Sequence, residues 1–386
     1  MQERQATGGD LAMLRRQNAF GVLQALRASA EPVTLTELAS RAGLSRASAE
    51  DLAAELTEQG WAVEVPPAPG SVGRPARRYR FRAECGYVLG LDIGAYRVLA
   101  ALADLGGNVV ATARRPVLPE TTRDRRLEAV DEVVTDCLTD AGVEAPQVWT
   151  TAAGTTGVVG AHGEVTLSGA ATDWTGVPLA DHLGDRCAGA VLVDNDTRLA
   201  ALAERRLGAA REAQHSVYVH AGLHTSAALI IGGQVHRGHG GAAGEIGVLP
   251  ITPWATAADR LARCGAVPAG VPYREAAAHV LGAARAGDAA ALSAVDRYAS
   301  DLALGLATMV ATIDPELVVL GGGLAHSADV LLPRLRDRLG PLCVRTPDLR
   351  ASPLGDDRVA LGAIRWAIDH VETTYLARNE RPDTDR

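Results

Sequence analysis

The sequence predicts an α/β protein in two unequal parts: an N-terminal winged helix-turn-helix, then a larger α/β domain of two lobes with a cleft between them. Three observations carry that expectation. The first 82 residues order helix, helix, helix and a hairpin with an arginine-rich tip. From Tyr87 onward the texture changes to apolar runs ending in glycine, where a strand meander is followed by strand–helix alternation, and this pattern occurs twice. At 386 residues and 47% hydrophobic, the chain is too long for one core and too apolar to stay unfolded. The expected boundaries are 1–82 for the winged helix, 83–195 for the first lobe and 196–386 for the second. A C-terminal helix near 355–371 is expected to return to the first lobe.

The head is justified element by element. Residues 11–30 repeat Leu14, Phe20, Leu23 and Leu26 at helical spacing. Thr34 and Glu37 fit a capping box that opens a second helix, and Gly43 stops it. Ser45 can cap the third helix, which places Arg46, Ala47, Ser48 and Glu50 toward base edges in a major groove. After Gly60, two short apolar segments flank the tip GSVGRPARR, whose Arg74, Arg77 and Arg78 suit phosphates or a minor groove. Thr34, Ser45, Arg46, Ala47, Ser48, Glu50, Arg74, Arg77 and Arg78 therefore form the expected DNA-contact set. Acidic Glu50 fits only as an acceptor from a cytosine amino group.

Charge agrees with this placement. The formal net charge of −8 argues against indiscriminate nucleic-acid binding. The first 82 residues, however, hold 11 arginines against 9 acids, and their Arg74, Arg77, Arg78, Arg80 and Arg82 are the one all-basic cluster. All 38 basic residues are arginine, which carries no vote on function. Cys85, Cys137, Cys187, Cys264 and Cys343 form no CxxC pair and read as small buried hydrophobes. No apolar run approaches ~20 residues and the first ten residues are polar, so neither a membrane span nor a signal peptide is expected, and the protein is expected in the cytoplasm.

In the larger domain, strands are expected near 87–92, 97–104 and 109–114. A strand at 191–195 feeds a helix with Asn195 and Asp196 at the junction, a hairpin follows within 216–251, and 311–327 supplies a strand, a glycine run and a helix. His220, His224, His236 and His239 cluster on the second hairpin and read as polar hairpin residues rather than metal ligands.

Four segments, LDIGA at 91–95, DNDTRLAALAE at 194–204, RGHGGAAGEIG at 237–247 and DPELVVLGGGL at 314–324, together resemble the ROK (repressor, open reading frame, kinase) family. That family belongs to the actin-like, ribonuclease H-like sugar kinases, and a winged helix ahead of such a core is its repressor arrangement. The resemblance implies that Asp196 matches the base that deprotonates the sugar hydroxyl, with Asn195, Glu245, Gly244 and Trp174 at sugar-binding positions. Departures argue against catalysis. Ala95 and Tyr96 replace a Gly-Thr after Asp-x-Gly, and AGLHTSAA at 221–228 replaces a glycine-rich phosphate hairpin. The family's zinc histidine is Val248 and its cysteine loop is reduced to Cys264, so no metal and no cofactor are expected. Ala171 stands where relatives carry an asparagine near the sugar.

The expected function is a DNA-binding regulator, a repressor of sugar or amino-sugar genes, whose Asp196 is a vestigial base and not a working catalyst. It would act as a homodimer or tetramer on a palindromic operator and be released by a sugar-like effector. An active kinase with an appended DNA-binding domain, and a regulator answering to a protein partner, are the alternatives.

Overall fold

The computed structural model describes residues 8–66 and 76–378. The head comprises α1 (Gly8–Arg27), β1 (Val33–Thr34), α2 (Leu35–Ala42), α3 (Arg46–Glu58), β2 (Ala62–Val65) and β3 (Arg78–Phe81), its strands ordered β1-β3-β2. The capping box forms as its sequence demands: Thr34 Oγ1 accepts the Glu37 N–H at 3.3 Å and the Glu37 carboxylate accepts the Thr34 N–H at 2.7 Å. Gly43 ends α2 in the left-handed region, which lets the chain turn into α3.

The first lobe follows with β4 (Tyr87–Ile93), β5 (Arg97–Asp104), β6 (Val109–Pro116), α4 (Arg123–Ala141), β7 (Val148–Thr155), β8 (Val158–Val159), β9 (Val165–Leu167), α5 (Leu179–Gly184) and β10 (Ala190–Asn195). The second contains α6 (Asp196–Arg206), β11 (Ser216–His220), β12 (Ser226–Ile231), β13 (Gln234–His236), α7 (Trp254–Ala262), α8 (Tyr273–Arg285), α9 (Ala289–Ile313), β14 (Leu317–Gly321), α10 (Ala328–Leu339), β15 (Asp348–Ala351) and α11 (Arg358–Thr374). Each lobe is built on a five-stranded sheet, β10-β7-β4-β5-β6 and β13-β12-β11-β14-β15. Both have an antiparallel meander on one side and parallel crossovers on the other. One difference from the sequence reading concerns 311–327. Its first residues end the long helix α9, and Asp314 reverses the chain at φ 45° before β14 begins.

Helix α11 packs on β4 and β7 of the first sheet and along α6. It does so because glycines remove the side chains between them: a Cβ on Gly90 would lie 2.6 Å from the Ala360 carbonyl oxygen. Its far end meets the head. Trp61 of the head stands edge-on to Trp149 at 5.5 Å between ring centroids, and Trp149 meets Tyr375 at 5.9 Å. Arg27, at the end of α1, pairs with Glu372 of α11 at 2.5 Å, donates to the Leu105 carbonyl at 3.2 Å and covers the Phe81 ring. Head, first sheet and α11 thus share one hydrophobic core.

Candidate nucleic-acid interface and ligand cleft

Helix α3 buries Ala49, Leu52, Ala53 and Leu56 against the head and leaves Arg46, Ala47, Ser48 and Glu50 exposed. Ser45 caps it by accepting the Ser48 N–H at 3.1 Å, so the hydroxyls of Thr34 and Ser45 both serve helix starts. Arg77 and Arg78, entering β3, are also exposed. Arg77 lies 3.9 Å from Glu50 and 3.7 Å from Glu64, weak solvent-facing pairs that a phosphate oxygen can replace. Arg74 lies outside the described residues.

The cleft between the lobes is assembled from strand ends. Asp92, near the end of β4, is buried, and burial raises its pKa against the pull of Arg97. That arginine, five residues later on β5, donates to Asp92 Oδ2 through Nε at 3.1 Å and Nη2 at 2.8 Å. It also reaches the Asp356 carbonyl at 2.5 Å and Asp357 at 3.4 Å, ahead of α11. A guanidinium therefore occupies the Asp92 carboxylate at the β4–β5 turn, beside a partly exposed Tyr96.

Asp196 opens α6. Burial, and secondarily the charge of Asp92, push its pKa up to about 7, although it accepts the Thr197 N–H at 2.6 Å. Thr197 Oγ1 lies 2.6 Å from Ser226 Oγ, tying α6 to β12. Asn195 is buried; its Oδ1 accepts the Arg198 N–H at 3.1 Å and its Nδ2 donates to the Gly157 carbonyl at 2.9 Å. Each end of that amide keeps one further hydrogen-bonding capacity. Glu245 follows the glycine loop 237–247, and burial raises its pKa while Arg198 opposes the rise. Gly244 precedes it at φ +92°, and a Cβ there would sit 2.5 Å from the Ala227 carbonyl oxygen, so the residue must be glycine for the loop to lie on β12. Burial leads in raising the Asp196 pKa, and the charges of Asp92 and Glu245 add to it.

Trp174 requires a correction. It is fully buried in the first-lobe core, donates its indole N–H to Thr155 Oγ1 at 2.8 Å and lies under the Arg126 guanidinium, so it presents no face to the cleft. The family resemblance placed it at the sugar; its burial among the first-lobe core residues, with its indole on Thr155 of β7, makes it core. The histidines separate: His236 and His239 are exposed, whereas burial pushes His220 down to about 4, which keeps it neutral at physiological pH. Sequence reasoning passed over Arg97, Arg198 and Asp194. The signal for the last two was present, a carboxylate and a guanidinium four residues apart across a helix start.

The sequence pattern of the ROK family matches residues 88–267 and 272–370, and that of the IclR helix-turn-helix domain matches residues 17–66. A glucokinase of Thermotoga maritima is 28% identical over 306 residues, 72% of this chain and 95% of its own length. The xylose repressor of Bacillus subtilis is 22% identical over 363 residues, 88% of this chain and 92% of its own. Among solved structures, a ROK family transcriptional regulator, homologous to the E. coli MLC protein, superposes with TM-score 0.71 at 21% identity, covering 95% of this chain and 99% of its own. A Streptomyces griseus ROK glucokinase, solved with glucose and AMPPNP, superposes with TM-score 0.61 at 24% identity, covering 74% of this chain and all of its own.

Proposed function

This chain belongs to the ROK family, and from that membership and the winged helix preceding it we propose that it is a DNA-binding transcription regulator. In this reading it represses genes of sugar uptake or metabolism, binds a sugar or sugar derivative between its lobes, and does not phosphorylate it. The observation that carries the regulatory half is the packing of the head, which bears an exposed third helix, onto the first lobe and α11 through Trp61, Trp149, Tyr375 and the Arg27–Glu372 pair. Arg46, Ala47, Ser48, Glu50, Arg77 and Arg78 face DNA, while Asn195, Asp196, Glu245 and Gly244 face the ligand. Residues 1–82, 83–195 and 196–386 act as head, first lobe and second lobe.

Loss of kinase activity is supported by Arg97. Phosphoryl transfer needs donors and a cation gathered on the transferring phosphate, and the carboxylate of Asp92 is already committed to a guanidinium. Two heads on a homodimer bind paired half-sites about one DNA turn or a multiple apart. A ligand that closes the lobes displaces α11 and with it the heads, and it releases DNA only by its differential affinity for the two arrangements, typically ~1–3 kcal/mol.

The decisive experiment is binding of the purified chain to its own upstream DNA, titrated with glucose, xylose, N-acetylglucosamine and their phosphates. Release by one of them supports the reading; DNA binding indifferent to all of them points to a protein partner. The kinase reading is favoured by the retained Asn195–Asp196 pair and by similarity to glucokinases. It predicts ATP-dependent sugar phosphorylation that disappears in Asp196→Asn.

A further inference from the structure

Arg198, in the first turn of α6, is fully buried, and a guanidinium stripped of water in such a place needs partners on its own protein. Its two arms go to different parts of the molecule. Nη1 donates to Asp194 Oδ1 at 2.6 Å, and Nη2 donates to the carbonyl of Gly241, in the middle of the glycine loop. Nε has no hydrogen-bond partner, so the fork serves these two contacts. Asp194 is buried as well; it accepts the Asn195 N–H at 2.7 Å and approaches Arg237, where the loop leaves β13, at 3.4 Å. One carboxylate and one guanidinium therefore hold the loop at its start and at its middle.

The remaining loop geometry passes this constraint on to Glu245. Gly241 lies at φ +72° with no room for a Cβ against the Val159 carbonyl, so its backbone is pressed onto the first lobe. The Ala243 N–H closes the loop on the Arg237 carbonyl at 3.3 Å, and the Glu245 N–H donates to the Ala242 carbonyl at 3.2 Å.

We infer that the Asp194–Arg198 pair is a positioning clamp, which sets Glu245 of the second lobe in register with Asn195 and Asp196 before any ligand arrives. The inference rests on reading those three side chains as the ligand-facing set. An apolar residue could fill the same volume, but only a two-armed cationic donor spans the carboxylate ahead of α6 and the loop carbonyl at once. The charge also acts on Glu245 directly, opposing the effect of burial and holding that carboxyl toward its ionised, hydrogen-bond-accepting form. A preset acceptor binds a hydroxyl without first ordering a loop, which is where affinity is otherwise lost.

Arg198→Lys is the test in the full-length chain, because lysine keeps the charge on Asp194 but cannot reach Gly241 with a second arm. Three quantities are read: the melting temperature, amide hydrogen exchange across residues 238–245, and affinity for glucose, xylose or N-acetylglucosamine, whichever stabilises the wild type. The clamp predicts a folded variant with a lowered melting temperature, exchange accelerated about tenfold in that loop and not in β4 or β7, and sugar affinity lowered about tenfold. Loop exchange and sugar affinity both unchanged in Arg198→Lys would overturn it. Should Arg198→Lys fold poorly, Asp194→Asn, which keeps the shape and one acceptor, is read by the same criteria. If loop exchange rises while no sugar stabilises even the wild type, the clamp stands and the sugar-binding reading fails.

Discussion

Replacing Arg27 with methionine keeps most of the side chain's length and removes its charge at the junction between the head and the first lobe. The side chains of Arg27 and Glu372 are only 11% and 18% exposed, so their 2.5 Å pair is screened far less than a surface pair. The substitution also removes the donor to the Leu105 carbonyl and the cation over Phe81. Losing one partner of a fully buried pair costs about 3–5 kcal/mol. Glu372 keeps Arg365 at 3.5 Å as a substitute, so a loss of about 2 kcal/mol is expected here. Glu372→Gln alone should cost about 1–2 kcal/mol, and the two together less than their sum, with a coupling energy on the order of 1 kcal/mol.

Urea unfolding followed by tryptophan emission reads this directly, because Trp61 and Trp149 meet at the same junction. The loss should appear as a lower midpoint or, if the head now unfolds alone, as an earlier separate transition. Single variants within about 0.5 kcal/mol of wild type and strictly additive would refute the reasoning and leave the junction to its apolar and aromatic packing. The functional counterpart is that Arg27→Met should bind operator but respond weakly to the sugar that releases the wild type.

Three further outcomes are expected. Asp196 has a folded pKa near 7 against about 3.8 unfolded, so the folded state holds the proton more tightly; its contribution is fully present below pH 4 and lost as pH rises through 7. Asp196→Asn should therefore stabilise the ligand-free protein at pH 8 by about 4 kcal/mol relative to its effect at pH 4, and equal melting-temperature differences at the two values would contradict this. Arg46→Ala should weaken operator binding by about 1–3 kcal/mol in electrophoretic titrations, whereas Glu50→Gln, which releases one partner of Arg77, should raise affinity for non-specific DNA at low salt. Trp174→Ala should cost about 3–5 kcal/mol in denaturant unfolding; a variant that stayed stable and lost only sugar affinity would return Trp174 to the ligand wall.

Features that depend on neighbours in the chain are legible from residue order alone. The box between Thr34 and Glu37, the Ser45 cap and the glycine stop at Gly43 are satisfied within about four residues, so residue type and spacing suffice to announce them. Ordered motifs likewise announced a duplicated strand–helix core and the family to which it belongs. Only the tertiary structure decided the fate of long-range partners. Whether Trp174 faced a ligand or the core depended on its burial in the first-lobe core and on Thr155, 19 residues away, which accepts its indole N–H. Arg97 found Asp92 close by, but also the Asp356 carbonyl 259 residues away, and Arg198 reached Gly241 across 43 residues. Such pairings follow from where packed sheets bring their strand ends, and burial then gives each charge an energy that no local spacing encodes.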